Sequence, residues 1–486
     1  MRSSETAFYG IVGLCSEPDM ILPHDTTSGS PAASHLDLIR KYAVPGPRYT
    51  SYPPANRFHD RLDAVDLDSA LRVDNADPDR PLSLYFHLPF CQSRCWYCGC
   101  TTIITRRFDW ADAYLIELKR EIELVARRIN GSRPVEQLHF GGGTPTFFAP
   151  ETLRELGRTI HANFSFTPDA ELSIEIDPRC VTPEHVEVLA EMGINRASLG
   201  IQDTNLQVQK AIHRVQSMGL NRLAVDLLRE AGITDINFDL IYGLPEQTAA
   251  TVAQTIEDVL QLEPDRLSVF SYAHVPWIKP AQRIFDQRGQ MPDAEAKLTM
   301  FGVIRKKLLD QGFVDIGLDH FARPSDALAV ALREGTLHRN FQGYSTKAGA
   351  SLYGFGISSI SSTEEVYWQN PKSLATYREA LQAGRLPAEK GYRLTAEDRR
   401  RRELIMKIMC ERRLDFGRID AERGGRVAED CADALAALRP LEEDGLVEID
   451  ATGLRVLPRG EPLIRVVAMA FDQTLVKQGR AHALSV

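Results

Sequence analysis

The chain has 486 residues, of which 43% are hydrophobic and 25% charged, and its formal net charge is −9. This length predicts one large domain with one or two smaller units. The acidic balance argues against nucleic acid as the main partner, and without a run of about 18 apolar residues no segment is expected to cross a membrane.

The first residues differ in composition from the rest of the chain. Residues 1–34 are expected to form a loose tail, because residues 26–31 are small, polar and rich in structure-breaking types. The tail has acidic residues and no long apolar core, which does not fit a secretory signal, and we expect a cytoplasmic protein. An N-terminal segment follows over residues 35–81, where Arg48 and two tyrosines among several prolines indicate an ordered loop.

From Leu82 onward, short apolar runs alternate with helical patterns. The runs predict six strands, at residues 82–87, 137–140, 171–176, 196–199, 235–241 and 266–270. The patterns between them predict helices, at residues 114–129, 151–164, 183–193 and 221–231, and one that ends near residue 262. Such alternation implies a parallel sheet with right-handed crossovers, either an incomplete barrel or a doubly wound sheet. In both, functional groups gather at the carboxyl ends of the strands.

The last part of the chain has another pattern. Residues 395–486 are expected to form a small C-terminal domain with helices at 398–413 and 431–438 and a hairpin over 445–457. Helices followed by a two-stranded hairpin are typical of a winged helix. We expect this domain to cover or support the larger one.

Four of the eight cysteines lie within ten residues, at positions 91, 95, 98 and 100. A tight cysteine cluster in a chain without a secretory signal indicates a metal site in a reducing compartment. Thiolates select zinc, copper(I) or iron–sulfur clusters, and a structural zinc site generally uses four ligands. Three thiolates would leave one iron of a [4Fe–4S] cluster open to bind a small molecule. The alternatives are a zinc loop or cysteines that merely pack.

Two further features lie at predicted strand ends. The run Gly141–Thr144 follows the second strand, and its missing side chains allow a ligand to approach the backbone closely, although an ordinary tight turn explains it as well. Glu175 and Asp239 end later strands, where a carboxylate can bind ribose hydroxyls. The alternative for these two residues is helix capping or pairing with arginines.

The spacing Cys-x3-Cys-x2-Cys resembles the signature of the radical S-adenosylmethionine (SAM) superfamily. The wider sequence is similar to the oxygen-independent coproporphyrinogen III oxidases in seven blocks, at residues 47–53, 84–100, 141–146, 198–203, 239–245, 319–324 and 338–344. The signature alone specifies only the superfamily, and the additional blocks specify the enzyme. The resemblance runs from about residue 35 to the C-terminus. It implies a partial (β/α)6 TIM-like barrel over residues 82–394, with residues 35–81 at the substrate site.

The resemblance also implies cofactors and their contacts. A [4Fe–4S] cluster would be held by Cys91, Cys95 and Cys98. The SAM molecule bound to the cluster would contact Tyr85, Gly142, Glu175 and Ile360. A second SAM molecule would contact Tyr97, Gly143, Thr144, Gln202, Arg214, Asp239 and Ala273. The active site would also include Phe341 and Gln342. The sequence departs from the family pattern at Tyr97, where a phenylalanine is usual.

The implied reaction is the oxidative decarboxylation of two propionates of coproporphyrinogen III to vinyl groups by 5′-deoxyadenosyl radical chemistry in haem synthesis. The product is protoporphyrinogen IX. Arg48, Arg323 and Arg339 lie in matching blocks and are candidates for binding propionates, because arginine suits bidentate carboxylate recognition. The expected partners are a small-molecule or protein electron donor and acceptor, with no nucleic acid, no membrane and a monomeric protein.

Two other functions compete with this one. A haem chaperone of the same superfamily would share the cluster motif, but such relatives generally lack the Arg48–Pro53 block and the second cysteine of Cys98-Gly-Cys100. A winged-helix regulator that senses iron–sulfur status would bind DNA, which the acidic charge and the complete βα array oppose.

Overall fold

The computed structural model describes residues 35–42, 44, 46–288 and 291–475. The tail predicted over residues 1–34 lies outside them. Within these ranges, no helix has both the length and the hydropathy that a bilayer crossing requires.

Strands and helices alternate through the first half of the described chain. Two helices, α1 (His35–Tyr42) and α2 (Ala64–Asp74), precede the alternating part. The elements that follow are β1 (Leu82–Leu88), β2 (Phe90–Cys91), β3 (Ile103–Ile104), α3 (Asp109–Ala126), β4 (Val135–Gly142), α4 (Pro150–Asn163), β5 (Phe166–Ile176), α5 (Pro183–Glu191), β6 (Arg196–Gln202), α6 (Leu206–Ala211), α7 (Met218–Glu230), β7 (Asp235–Tyr242), α8 (Ala249–Leu260) and β8 (Arg266–Ser271).

Shorter strands dominate the second half. Its elements are α9 (Arg283–Arg288), α10 (Ala294–Asp310), β9 (Val314–Gly317), β10 (His320–Ala322), α11 (Ala327–Glu334), β11 (His338–Asn340), β12 (Gly343–Ser345), β13 (Ser351–Phe355), β14 (Ile360–Ser362), β15 (Val366–Gln369), α12 (Leu374–Gln382) and β16 (Lys390–Arg393). The C-terminal part contains α13 (Ala396–Glu411), β17 (Arg413–Asp415), α14 (Phe416–Arg423), α15 (Val427–Asp430), α16 (Ala432–Ala437), α17 (Arg439–Glu443), β18 (Val447–Ile449), β19 (Gly453–Val456) and α18 (Ile464–Met469).

One open sheet of twelve strands organises the large domain, in the order β16-β15-β14-β13-β1-β4-β5-β6-β7-β8-β10-β9. The strands from β13 to β8 are parallel, and the three beyond β13 and the two beyond β8 are antiparallel. The six predicted parallel strands are confirmed as β1, β4, β5, β6, β7 and β8. The parallel strand β13 and the antiparallel strands at both edges were not predicted.

Local sequence explains why these elements form. Six of the seven residues of β1 are buried, as expected for a parallel strand that is covered on both faces. The helix α5 begins where the Thr182 side chain accepts a hydrogen bond from the His185 N–H, with Pro183 at its first position. The helix α8 begins with a capping box formed by Thr248 and Thr251.

The C-terminal part has a core of its own, and the N-terminal segment contributes to it. Tyr49 and Tyr52 are both 1% exposed and pack into the same cluster as Ile405 and Phe471. The Tyr49 hydroxyl donates to Asp472 Oδ2 at 2.9 Å. The predicted hairpin is present as β18 and β19, and β17 adds a third strand to it. The ordered loop at residues 47–53 therefore lies between the sheet and the C-terminal part.

Candidate active site at the carboxyl edge of the sheet

A cavity of about 580 Å³ lies where the parallel strands end. Its walls come from the cysteine loop and from the residues at or just beyond the ends of β4, β5, β6, β7 and β8. Twelve of the predicted site residues line it: Cys91, Cys95, Tyr97, Cys98, Gly142, Gly143, Thr144, Glu175, Gln202, Arg214, Asp239 and Ala273. The carboxyl edge of the sheet therefore brings together side chains that are up to 182 positions apart, from Cys91 to Ala273.

The cysteine loop is fixed from several sides. Its two ends pair as β2 and β3, with Cys91 opposite Ile104. The Trp96 N–H donates to the Ile212 carbonyl at 3.1 Å, and Gln282 Nε2 donates to the Tyr97 carbonyl at 3.0 Å. Cys91, Cys95 and Cys98 are half-buried and form no disulfide. The three thiols are thus held at the cavity wall without being sealed from it.

The glycine turn packs directly against the start of the cysteine loop. The Gly143 N–H donates to the Leu88 carbonyl and the Thr144 N–H to the Phe90 carbonyl, both at 2.9 Å. The Thr144 hydroxyl lies 3.5 Å from Cys91 Sγ. A Cβ atom on Gly143 would lie 2.6–2.8 Å from backbone atoms of Pro89 and Phe90. Glycine is required here because two backbone segments touch.

Gly142 adopts a φ of +112° and accommodates the ring of His87, which a Cβ atom would meet at 2.5 Å. His87 is buried, and its Nε2 lies 2.9 Å from the Thr101 carbonyl while its Nδ1 lies 3.1 Å from the Tyr85 hydroxyl. A chain of contacts thus connects the glycine turn, Tyr85 and the end of the cysteine loop.

Glu175 is fixed at the centre of this arrangement. Its Oε2 accepts a hydrogen bond from the Gly142 N–H at 3.0 Å, and its Oε1 lies 3.5 Å from His139 Nε2. Burial raises the pKa of the Glu175 carboxyl, but the contacts with His139 and Gly142 outweigh it, and the pKa lies below its ordinary value. Glu175 is therefore an ionised acceptor at neutral pH.

Asp239 also lies near a strand end, but the pKa of its carboxyl is shifted in the opposite direction from that of Glu175. Burial raises the pKa of its carboxyl to about 6, in spite of hydrogen bonds from Ser198 and Asn237. Near it, Gln202 has a φ of +69°, a conformation that few residues other than glycine adopt and that concentrates at ligand sites.

Three charged side chains lie beside Cys95. Asp177 Oδ2 accepts hydrogen bonds from Arg179 Nη2 at 2.7 Å and from Arg214 Nη1 at 2.9 Å. The same two arginines point at Cys95 Sγ, at 3.8 and 3.7 Å. Burial raises the pKa of the Asp177 carboxyl, but Arg214 and Arg179 more than reverse that effect. Two guanidinium groups fixed by one carboxylate leave net positive charge beside Cys95 Sγ.

Four predicted site residues do not line this cavity. Tyr85 lies beside it, with its ring stacked on His139. Phe341 lines a separate cavity of about 460 Å³. Phe341 and Ile360 both pack against a small hydrophobic cluster that includes Phe58 and Tyr367. Gln342 Nε2 is buried, and the described residues offer it no hydrogen-bond acceptor.

Three comparisons with known proteins bear on this site. Residues 85–259 match the Radical SAM superfamily, and residues 394–463 match the HemN C-terminal domain. The oxygen-independent coproporphyrinogen III oxidase of Synechocystis sp. is 42% identical over 95% of this chain and 99% of its own length. That of Bradyrhizobium diazoefficiens is 46% identical over 90% of this chain and 97% of its own.

The chain belongs to the oxygen-independent coproporphyrinogen III oxidase family. A solved structure agrees with this assignment. The coproporphyrinogen III oxidase HemN from Escherichia coli, described as a radical SAM enzyme, is 41% identical and superposes with a TM-score of 0.85. The match covers 90% of this chain and 98% of that one. The predicted fold class is thereby confirmed.

Radical SAM membership implies a [4Fe–4S] cluster and SAM as cofactors of this oxidase. The residues present fit both groups. Three free thiols face one cavity, and the donor set is of the soft kind that iron–sulfur clusters use. The buried Arg214 Nε at the same cavity has no acceptor among the described residues, which suits a polar ligand such as SAM. Within the described ranges, no three His, Cys, Asp or Glu side chains surround a point suited to a single ion. A cubane cluster does not need such a point, since each cysteine binds a different iron.

Sequence reasoning missed three residues of this site: His87, Asp177 and Arg179. Asp177 and Arg179 stand two and four positions after Glu175, just beyond the end of β5. Their position after a predicted strand was a usable signal, but an Asp-Pro-Arg run also suits an ordinary turn. His87 belongs to the strand β1 itself, where a buried histidine is more often structural.

Proposed function

We propose that this chain catalyses the oxygen-independent oxidative decarboxylation of coproporphyrinogen III to protoporphyrinogen IX, the activity of a coproporphyrinogen dehydrogenase. What supports the proposal above all is the convergence of three thiols, a glycine turn and strand-end carboxylates in one cavity, within a chain that matches named oxidases over at least 90% of its length.

The reaction removes CO₂, one hydrogen atom and one electron from each of two propionates, and each CH₂–CH₂–COO⁻ group becomes a vinyl group. When bound, the reduced cluster and SAM supply the hydrogen-atom abstraction at the propionate β-carbon. The electron then passes to an acceptor. We propose that the donor and the acceptor of electrons are small molecules or proteins, that the enzyme is a cytoplasmic monomer, and that residues 35–81, 82–394 and 395–486 are its substrate-site segment, catalytic domain and C-terminal domain.

The chain's own residues would bind the cluster and SAM and orient them. Cys91, Cys95 and Cys98 would hold the cluster, while Arg179 and Arg214 keep positive charge beside Cys95 Sγ. Tyr85, Gly142, Glu175 and Ile360 would contact the SAM on the cluster. Because Glu175 is ionised and held by the Gly142 N–H, it offers a fixed acceptor for that molecule.

A second SAM would lie against Tyr97, Gly143, Thr144, Gln202, Arg214, Asp239 and Ala273, which all line the same cavity. Arg214 Nε is buried and has no hydrogen-bond acceptor among the described residues, as expected of a donor whose partner is a ligand. Gln342 Nε2 is also buried without an acceptor among the described residues. We place it with Phe341 at the substrate end of the site.

The test is an anaerobic assay of the reconstituted protein with SAM, a reductant, an electron acceptor and coproporphyrinogen III. We expect protoporphyrinogen, methionine and 5′-deoxyadenosine from the wild type and from Cys431→Ala, whose thiol is buried in the C-terminal core. We expect none of the three from Cys95→Ala. Deoxyadenosine without decarboxylation would mean that the substrate is wrong, and tight haem binding with neither product would favour the chaperone.

A further inference from the structure

A smaller cavity of about 250 Å³, the second cavity, lies between the sheet and the C-terminal part. It adjoins the cysteine-lined cavity of about 580 Å³, the first cavity. The two cavities share Ser271, Tyr272 and Ala273 as lining residues. Whole small ligands usually occupy about 300–1,000 Å³, so this cavity suits one arm of a larger molecule. The shared residues place the two cavities next to each other at the end of β8.

The charges around the second cavity are unbalanced. Five guanidinium or ammonium groups line it, against three carboxylates: Arg48, Lys297, Arg305, Arg412 and Arg465 against Asp315, Asp319 and Glu461. Asp315 and Glu461 both bind Arg305 and Arg412, and Asp319 binds Arg48. These ion pairs use all three carboxylates and leave positive charge on the side of Lys297.

Lys297 is the clearest case of a cation placed for a ligand. Its side chain passes over Gly243, where a Cβ atom would lie 2.6 Å from Lys297 Cε. Its Nζ donates to the Tyr272 carbonyl at 3.0 Å, and no carboxylate among the described residues forms an ion pair with it. Burial lowers the pKa of this ammonium group. Lys297 is half-buried, and a partly desolvated cation without a counter-charge is stabilised when an anion binds beside it.

Two arginines complete the cationic wall. The Arg48 side chain is 40% exposed and faces the cavity, while the rest of its loop is held by Arg465, which donates to the Pro47 and Gly46 carbonyls. Arg465 is buried, which lowers the pKa of its guanidinium to about 10, and repulsion from Arg339 adds to this effect. An anion in the cavity would reduce this repulsion. Phe301 and Ile464 supply apolar wall for a hydrocarbon chain.

We infer that this cavity binds a carboxylate-bearing arm of the substrate, a propionate other than the one being decarboxylated, with Lys297 and Arg48 as its cationic contacts. The inference rests on the proposed function for the identity of the substrate. It makes Lys297 a determinant of substrate recognition.

Binding without turnover tests the inference separately from the proposed function. The probe is coproporphyrinogen III, titrated anaerobically into protein that lacks cluster and SAM, with tryptophan fluorescence as the signal. Hydrogen bonds to charged groups are worth about 1.5–3 kcal/mol, so we expect Lys297→Met to raise Kd by about 10-fold or more. Lys297→Arg should recover most of the affinity. The control Lys306→Met, on the exposed side of the same helix, should match the wild type.

The tetramethyl ester of the same porphyrinogen separates the substrate carboxylate from other anions. We expect the ester to bind wild type and Lys297→Met equally weakly. Inorganic phosphate should compete with coproporphyrinogen III in the wild type only. An unchanged Kd in folded Lys297→Met, or an ester that still distinguishes the two proteins, would overturn the inference. Failure of the proposed function would instead appear as a wild type that binds the porphyrinogen but does not decarboxylate it.

Discussion

Gly143→Ala is the substitution whose consequence the structure defines most closely. The added methyl group would lie 2.6 Å from the Pro89 carbonyl carbon, 2.7 Å from Phe90 O and 2.8 Å from Phe90 N. These are backbone atoms, which cannot rotate away as a side chain can. Because Gly143 has an ordinary φ, the backbone conformation itself tolerates alanine, and the space alone is at issue.

The methyl group must therefore separate the glycine turn from the segment that leads into Cys91. Overpacking of this kind costs about 1–3 kcal/mol. If that cost falls on the assembled site, the affinity for the cluster and SAM falls by about 5- to 150-fold. The Gly143–Leu88 and Thr144–Phe90 hydrogen bonds would lengthen, and the Thr144 hydroxyl would move from Cys91 Sγ.

Iron content after anaerobic reconstitution and SAM affinity by calorimetry measure this effect, and circular dichroism checks the fold. The matched control is Gly131→Ala, where a Cβ atom meets nothing within 4 Å and φ is also ordinary. We expect the control to behave as the wild type. Wild-type iron content and SAM affinity in Gly143→Ala would refute the role given to the close approach of the two segments.

Three further predictions follow from buried charges. Asp177→Asn should reduce iron retention, and should lower kcat/KM by at least about 100-fold, because a neutral amide with one acceptor oxygen replaces the carboxylate that holds two guanidinium groups; wild-type kinetics would contradict this. Asp74→Ala should lower stability to urea by about 3–5 kcal/mol, because it strands the fully buried Arg133, whose Nη1 lies 2.7 Å from Asp74 Oδ2; an unchanged unfolding midpoint would oppose it. The affinity for the proposed second SAM should be about tenfold lower at pH 5 than at pH 7, because the Asp239 carboxyl has a pKa of about 6 and only its ionised form accepts two hydroxyl hydrogen bonds; Asp239→Asn should abolish this pH dependence.

The elements that could be predicted are those whose pattern is complete within one segment. Each of the six strands from β1 to β8 that form the parallel sheet is an apolar run followed by a helix with its own buried face. The strand β13 has five buried residues but contains Gly354, and its neighbour β14 has only three residues. Their pairing partners, not their own composition, determine that they are strands.

The site shows the same division. The cysteine loop and the glycine turn are continuous in sequence, and their chemistry could be predicted from spacing. The packing of the Gly143 backbone on Phe90 joins two segments that are 53 positions apart, and no local pattern indicates it. Sequence similarity proposed Arg48, Arg323 and Arg339 alike as propionate ligands. The guanidinium of Arg323 stacks on Phe313 outside the cavities described above. Lys297 has no motif, and only the fold brings it to the cavity.

The most direct test of the proposed reaction uses coproporphyrinogen III deuterated at the β-carbons of its propionates. The reconstituted enzyme should convert it to protoporphyrinogen, and one deuterium atom should appear in each 5′-deoxyadenosine formed during turnover. Deoxyadenosine without deuterium, or deoxyadenosine at the same rate with no vinyl product, would contradict the proposal that the cysteine-lined cavity is the site of hydrogen abstraction from a propionate.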